Sequence, residues 1–404
     1  MDYPLCEPCG SVANPVFLGQ ERPVRTGLEV LVRDGFKPLQ GKRVGLVTNH
    51  TGRDAGGAST IDLLASAKGV TLAALFSPEH GIRGQADAKV AGGRDEKTGL
   101  PIHSLYGKTT KPAAEMLKDV DMLAFDIQDV GARFYTYITT LALVMEAAKE
   151  NDKGVVVLDR PNPIGGEAVE GPVLEDALRG DFIGYFPLPM RHGLTIGELA
   201  TLYNGEFRIG CRLEVVKMEG WKRSMVFDET GLPWVNPSPN MRSLAAAVSY
   251  PGLGALEATN LSVGRGTGRA FVLYGAPWID GKRLCDELNG RGLAGVRFKP
   301  VAFTPAVEPG FPRYPHAEKE CRGFEVEITD RARYRPVTAA LHAFDALYRL
   351  HPKEFSFGKS HRFFGLRSVE SDLKAGKSPA EIEKSWQPDL DRFLERRKAS
   401  LLYP

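Results

Sequence analysis

Short apolar runs alternate, in the first half of the chain, with segments whose apolar residues recur every three or four positions. The runs cover residues 42–48, 70–76, 121–125 and 154–158. Runs of this length, bounded by turn formers, are typical of buried strands. The segments between them, such as 61–67 and 141–148, have helical spacing. Strands and helices that alternate in this way predict a parallel sheet with helices on both faces.

Polar side chains follow each of the four predicted strands. They include Asn49 after the first strand, Glu79 after the second, Asp126 after the third and Asp159 after the fourth. Ligands of such sheets bind in a crevice outside the carboxyl ends of the strands, so we expect these four side chains to face one crevice. Asn and Asp are also common turn formers and helix caps, which is an alternative reading for three of them. Glu79 is harder to explain as a turn residue.

The character of the sequence changes near residue 165, where a glycine-rich, acidic stretch begins. We therefore predict an irregular N-terminal arm over residues 1–24, a Rossmann-like domain over 25–175 and a smaller α/β domain over 176–404. Thr195 and Glu198 have the spacing of a capping box at a helix start. Helices are also predicted over 109–117, 338–350 and 379–394, and strands over 213–218 and 323–328.

A second polar cluster lies in the glycine-rich stretch 252–268. It contains Glu257, Asn260 and Arg265, and the preceding residues 245–256 are apolar enough to anchor it. We expect this loop to contribute to the crevice from the second domain. No strand-to-helix loop has the glycine pattern of a dinucleotide site, and no phosphate-binding P-loop motif occurs. No cofactor is therefore predicted.

Composition narrows the possible partners. The 404 residues contain 52 basic and 50 acidic side chains, a formal net charge of +2 without long blocks of one sign. Neither nucleic acid nor an anionic membrane is an expected partner. The five cysteines are scattered, and Cys6 and Cys9 alone are a weak zinc signal, so we predict no disulfide framework and no metal site. No apolar stretch predicts a membrane span, and the first twenty residues lack signal-peptide features, which predicts a cytoplasmic protein.

Eight stretches occur in one order that is specific to a known family. From about Gly27 to the C-terminus, the chain resembles the bacterial exo-β-N-acetylmuramidases. The stretches are residues 45–52, 76–84, 125–137, 158–163, 170–172, 191–195, 237–241 and 257–267.

The resemblance implies a Rossmann-like domain, a smaller C-terminal α/β domain and an active site in the cleft between them. It also implies removal of β-1,4-linked N-acetylmuramic acid from the non-reducing end of peptidoglycan fragments, so the expected partner is a peptidoglycan-derived saccharide. Relatives that act outside the membrane often carry a signal peptide, which would place them in the periplasm or outside the cell. This sequence shows no such peptide.

Glycoside hydrolysis needs an acid for the leaving oxygen and usually a second carboxylate. We predict that Glu79 is the acid, since burial at a strand end favours the protonated carboxyl. Asp126 and Glu170 are candidates for the second group, and Glu257 could supply it from the other domain. The acetamido carbonyl of the substrate is a further candidate. The lactyl carboxylate of muramic acid needs a cation, for which the candidates are Arg83, Arg160 and Arg265.

The remaining polar residues of these stretches are predicted to bind the saccharide, and the aromatics 134–137 beside an arginine suit a sugar ring unless they pack inward. The predicted substrate-binding residues are Asn49, His80, Arg83, Asp129, Arg133, Tyr135, Asp159, Arg160, Asn162, His192, Asn240, Glu257, Asn260 and Arg265. Two alternatives stay open. One is a metal-dependent hydrolase that uses His50, His80, Asp126 and Asp159. The other is an amino-sugar-binding protein without catalysis.

Overall fold

The computed structural model describes residues 23–82 and 92–404. The strands of these residues are β1 (Arg43–Thr48), β2 (Thr71–Ser77), β3 (Gly93–Arg94), β4 (Pro101–Ser104), β5 (Met122–Asp126), β6 (Gly154–Leu158), β7 (Glu170–Val173), β8 (Pro189–Arg191), β9 (Arg212–Val216), β10 (Leu273–Ala276), β11 (Val296–Phe303) and β12 (Cys321–Ile328). The α-helices are α1 (Gly27–Arg33), α2 (Thr60–Ala65), α3 (Tyr137–Glu150), α4 (Ile196–Gly205), α5 (Leu244–Leu253), α6 (Gly281–Gly290), α7 (Pro336–Leu350), α8 (Ser360–Phe364), α9 (Val369–Lys374) and α10 (Pro379–Arg397).

The largest sheet has seven strands in the order β3-β4-β2-β1-β5-β6-β9. All neighbouring pairs are parallel except β3 with β4. The four apolar runs of the sequence form β1, β2, β5 and β6, which are adjacent in this sheet. Their carboxyl ends therefore lie side by side, as the alternation of strands and helices predicted.

The seventh strand of this sheet, β9, comes from residues 212–216. The boundary predicted near residue 175 thus lies inside the stretch that builds the sheet. The predicted N-terminal arm falls almost entirely on residues 1–22, which lie outside the described part of the chain. Val24 is fully buried, and Arg25 forms a backbone bridge with Glu219, so the chain is packed against the domain from its first described residues.

Helix α3 lies in the main hydrophobic core, where Leu141, Val144 and Met145 are completely buried. The helix predicted over residues 109–117 is wrong except for a 3₁₀ turn at Ala114–Leu117. The physical reason is Pro112, because a proline disfavours helical backbone in the residue that precedes it.

The second half of the chain builds a smaller α/β unit. Its antiparallel sheet has the order β10-β12-β11 and packs against α6, while β7 and β8 form a separate two-stranded ribbon. Helix α5 packs against α7 at Gly252, where a Cβ atom would lie 1.8 Å from the carbonyl oxygen of Pro336. Only glycine permits this approach. The predicted fold class, a mostly parallel sheet domain with a smaller α/β domain, is confirmed.

None of the described helices is long and apolar enough to span a bilayer.

Candidate active site

The middle of the sheet edge is filled by a buried ion pair. At the end of β5, Asp126 accepts hydrogen bonds from Arg160 Nε at 2.5 Å and Nη2 at 2.9 Å, and from the hydroxyl of Thr60. Asp126 is completely buried and Arg160 is 6% exposed. Neither residue lines the cavity that contains Glu79. A carboxylate that is held by a guanidinium in the protein interior is well suited to fix the two strand ends.

Asp159, directly after β6, is completely buried like Asp126 and is also held by hydrogen bonds within the protein. It accepts hydrogen bonds from Thr195 Oγ1 at 2.8 Å, from the amide of Gly197 at 2.8 Å and from the Tyr403 hydroxyl at 2.6 Å. Thr195 begins α4 with Glu198 in the predicted capping box, which is confirmed. Burial raises the pKa of Asp159 to about 6, in spite of these three donors. Asp159 thus ties together β6, α4 and the C-terminal residues.

Glu79 lies in a different place, at the margin of a cavity of about 350 Å³. We call this space the catalytic cavity. Glu79 follows β2 on a turn in which His80 has a φ of 69°, a left-handed conformation that few side chains adopt. Thr136, just before α3, donates a hydrogen bond from Oγ1 to Glu79 Oε2 at 2.5 Å. The side chain of Glu79 is therefore held in one orientation beside the cavity while it stays partly exposed.

Two further charged groups of the catalytic cavity, Glu257 and Arg265, come from the second half of the chain. Glu257 lies on a 3₁₀ turn, Gly254–Ala258, directly after the buried helix α5. It forms an ion pair with Nη2 of Arg265, and the two side chains are 25% and 22% exposed. The Arg265 guanidinium also lies over the rings of Phe271, at 5.5 Å, and Tyr314, at 5.9 Å. These contacts fix the cation at the cavity wall.

Aromatic rings form much of the remaining wall. Tyr135 packs edge-to-face on Tyr137 at 5.1 Å and on Tyr250 at 5.8 Å between ring centroids. Burial raises the pKa of all three tyrosines well above its usual value, so their hydroxyls stay protonated at neutral pH. Rings that line a cavity next to carboxylates and a cation suit a saccharide, which offers C–H faces and hydroxyl groups.

Of the predicted substrate-binding residues, His80, Tyr135, Asn240, Glu257 and Arg265 line the catalytic cavity together with Glu79. Arg83 lies outside the described residues. The others, Asn49, Asp129, Arg133, Asp159, Arg160, Asn162, His192 and Asn260, do not line this cavity.

Several of these other residues hold the backbone in place. Arg133 is 1% exposed and donates to the carbonyl oxygens of Leu188 and Phe363, across the two halves of the chain. Asn162 donates to the carbonyl oxygen of Leu194 at 3.0 Å. Asn260 donates to the carbonyl oxygen of Glu354 and accepts from the amide of Ser356.

The loops after β1 and β5 are also held by internal contacts. Asn49 Oδ1 accepts from both the amide and the hydroxyl of Thr51. Asp129 accepts from the amide of Gly131 at 2.7 Å and lies 3.5 Å from Nε2 of the buried His192. Both loops are thereby fixed next to the wall of the catalytic cavity.

Glu170 is the second predicted catalytic carboxylate that does not line the cavity. It forms an ion pair with Arg191 at 2.7 Å, and each side chain is less than 10% exposed. It also accepts from the amide of Val337 at 3.3 Å, which joins the ribbon β7–β8 to the start of α7. Glu170 therefore connects the two halves of the molecule.

A metal site needs several ligands close together, and the described residues contain no group of three or more His, Cys, Asp or Glu side chains that could hold an ion. The residues named for that alternative have other contacts. His50 Nε2 lies 2.7 Å from the carbonyl oxygen of Asn236, while Asp126 is paired with Arg160.

Several residues of the catalytic cavity were not predicted from the sequence, among them Tyr106, Thr136, Ser238 and Tyr250. Thr136 lies within the aromatic stretch 134–137 and its position next to Tyr135 was a usable signal. Tyr250 lies in an apolar helix, and nothing in its local sequence distinguishes it from a core residue.

Comparison with known proteins agrees with the motifs of the sequence. The family models for the N-terminal and C-terminal parts of the exo-β-N-acetylmuramidase NamZ match residues 44–245 and 248–403. The peptidoglycan β-N-acetylmuramidase NamZ of Bacillus subtilis is 46% identical over 385 residues, which cover 94% of this chain and 91% of that protein.

Two solved structures from Bacteroides fragilis have the same fold. Both are described as DUF1343 family proteins. The first has a TM-score of 0.88 at 39% identity, with 95% of this chain and all of that chain covered. The second has a TM-score of 0.76 at 32% identity, with 94% of this chain and 99% of that chain covered. The resemblance found in the sequence is confirmed, and the chain belongs to the exo-β-N-acetylmuramidase NamZ family.

Proposed function

We propose that this protein is an exo-acting glycoside hydrolase that releases N-acetylmuramic acid from the non-reducing end of β-1,4-linked peptidoglycan fragments. The near full-length relative from Bacillus subtilis carries the name of this activity. The family match over both halves of the chain supports the same reaction.

The observation that carries the proposal is the composition of the catalytic cavity. It brings Glu79, from the parallel-sheet edge, together with Glu257 and Arg265, from the second half of the chain, between aromatic walls. Its volume of about 350 Å³ is at the small end of the range for ligand pockets. A small cavity suits an enzyme that takes one terminal sugar rather than one that binds the middle of a long glycan.

Glu79 is the general acid in this proposal. Thr136 donates to Oε2, which leaves Oε1 as the oxygen that carries the transferable proton. Protonation of the glycosidic oxygen from Oε1 makes the departing saccharide a neutral alcohol, while positive charge develops at the anomeric carbon. The partial exposure of Glu79 gives it access to the substrate and to solvent, from which it regains a proton after each turnover.

Glu257 is the second carboxylate in this proposal, since it faces the same cavity and Asp126 and Glu170 do not. The ion pair with Arg265 favours its charged form, which a base, a nucleophile or an orienting group requires. The acetamido carbonyl of the substrate could attack the anomeric carbon itself, and Glu257 would then orient that group. Either role uses Glu257 as an anion.

Arg265 is the proposed partner of the lactyl carboxylate of muramic acid. Of the three arginines considered, it alone lines the catalytic cavity among the described residues. A guanidinium has five N–H donors, so it can bind Glu257 and a substrate carboxylate together. Its stacking on Phe271 and Tyr314 keeps the planar group oriented for such a contact.

The direct test is Glu79→Gln, which keeps the size of the side chain and removes the transferable proton. We expect release of N-acetylmuramic acid from its β-1,4-linked disaccharide with N-acetylglucosamine to fall by about 10²–10⁴, because a departing sugar alcohol needs the proton of the general acid. Glu115→Gln is the matched control, since Glu115 has an 88% exposed side chain and does not line the catalytic cavity. Both variants should keep the wild-type melting temperature and circular dichroism. If Glu79→Gln retained more than about a tenth of the wild-type turnover, Glu79 would not be the acid.

A further inference from the structure

A second cavity, of about 530 Å³, is lined by a different set of described residues from the catalytic cavity. We call it the arginine cavity. Its floor contains the buried arginines Arg191 and Arg223, and its rim contains Arg331 and Arg335 from the segment that precedes α7. Glu167, on the loop before β7, also lies on the rim.

Three of the four guanidinium groups are neutralised by carboxylates of the protein. Arg191 is paired with Glu170 at 2.7 Å and Arg223 with Glu198 at 2.6 Å, both in the interior. At the rim, Arg331 is paired with Asp228 at 2.7 Å. The arginine cavity is thus not a general positive patch, and a multiply charged anion would meet nearly as many carboxylates as cations.

Three charged side chains of the cavity have no ion-pair partner among the described residues. Arg335 donates only to the backbone carbonyls of Ala332 and Tyr334, so its charge has no carboxylate partner. Glu167 is exposed and forms no ion pair within the described chain. Glu229 is also exposed and accepts only the amide of Val226 within the same residues.

We propose that the arginine cavity binds a short peptide with free termini. The peptide carboxylate accepts hydrogen bonds from the exposed guanidinium of Arg335, and the peptide ammonium group pairs with Glu167, since Glu229 already accepts the amide of Val226. The free charges of the cavity are of both signs, which matches a zwitterion better than an anion or a cation alone. None of the described residues that line the cavity is aromatic, so they offer no stacking surface of the kind that a sugar or a nucleobase would use. Its volume exceeds the space that a single amino acid fills and lies within the usual range for ligand sites.

The site differs from the catalytic cavity in its ligand class, and its existence does not depend on the proposed hydrolase activity. A peptide bound there would contact the loop before β7, the loop that carries Arg223 and the segment before α7. Glu170 and Arg191 already join β7 and β8 to the start of α7. Binding would therefore stabilise the folded protein as well as fill the cavity.

The experiment uses isothermal titration calorimetry of the complete protein with trialanine, N-acetyl-trialanine and trialanine amide. Trialanine should bind with a Kd of about 10 mM or lower. The acetylated peptide lacks the ammonium group and the amide lacks the carboxylate. Each should bind at least about fivefold more weakly than trialanine, because each loses one partly exposed ion pair. Equal binding of all three peptides, or no binding of trialanine at about 10 mM, would overturn the proposal.

Variants locate the binding within the molecule. Arg335→Ala and Glu167→Gln should each weaken trialanine by about fivefold and leave the activity unchanged. Arg333→Ala is the matched control, because Arg333 is an exposed arginine of the same segment that does not line the cavity. If trialanine bound equally well to Arg335→Ala, Glu167→Gln and Arg333→Ala, the site would lie elsewhere and the assignment of the arginine cavity would be wrong.

Discussion

Arg265 is the residue on which the proposed specificity for muramic acid depends. N-Acetylmuramic acid and N-acetylglucosamine differ only in the lactyl ether, so discrimination between their glycosides measures what the enzyme gains from that carboxylate. Arg265→Ala removes the proposed partner of this group. We therefore expect the variant to lose specificity and not merely activity.

The expected magnitude follows from the environment of the side chain. The guanidinium is 22% exposed and lies against two rings, so a substrate carboxylate bound there is largely shielded from water. A hydrogen bond to a charged group contributes about 1.5–3 kcal/mol under such conditions. Since 1.36 kcal/mol corresponds to a factor of ten, the ratio of kcat/KM for the muraminide over the glucosaminide should fall by about 10- to 150-fold.

The assay compares the 4-nitrophenyl glycosides of the two sugars with the same preparation of each variant. The ratio of the two kcat/KM values is informative because effects common to both substrates cancel in it. A partly unfolded preparation lowers both rates equally, and Glu257 loses its ion-pair partner with either substrate. Arg269→Ala is the control, since Arg269 lies four residues away, pairs with Glu325 and does not line the catalytic cavity. A ratio that changed no more in Arg265→Ala than in Arg269→Ala would refute the role of Arg265.

Three further predictions concern Glu79, the strand ends and the second polar cluster. Thr136→Val should lower kcat for the β-1,4-linked disaccharide about tenfold with KM nearly unchanged, because Glu79 loses the hydrogen bond that orients it, and Thr136→Ser should restore the rate. Burial raises the pKa of Asp159 from 3.8 to about 6, so the folded state holds this proton more tightly than the unfolded state. The free energy of unfolding should therefore fall by about 3 kcal/mol as the pH rises from about 4 to 6. Asp159→Asn should remove that part of the slope in urea titrations between about pH 4 and 6, and an unchanged slope would contradict the assignment. Asn260→Ala should lower the melting temperature and leave kcat/KM within about twofold, since its amide joins backbone groups outside the cavity.

The parallel sheet could be predicted because its central strands are buried on both faces. β6, for example, is buried at every position and therefore reads as an uninterrupted apolar run. The antiparallel strand β11 (Val296–Phe303) could not be found in this way. Its buried residue Phe298 is flanked by exposed Arg297 and Lys299, and Pro300 further weakens the strand signal.

The candidate site was predictable only in part, for a different physical reason. The sequence indicates which polar residues follow each strand, but it does not indicate which of them find a partner in the fold. Asp126 meets Arg160, which is 34 positions away, and the pair fills the sheet edge where a Rossmann-like fold usually binds its ligand. Glu257 and Arg265 were accessible to prediction because many polar residues and glycines follow an apolar anchor, and both line the cavity.

Glu79 differs from the buried carboxylates in its exposure and in its hydrogen-bond donors, which are the properties that matter for a general acid. A general acid must change its protonation state in every cycle, and this requires access to a proton source and few competing donors. Asp126 is held by a guanidinium and Glu170 by another, while the fully buried Asp159 accepts from four donors. Glu79 is partly exposed, and its hydrogen-bond donor among the described residues is the neutral hydroxyl of Thr136. The carboxylates at the centre of the sheet edge can therefore hold the scaffold rigid, and the reaction can proceed at the margin, where the two halves of the chain meet.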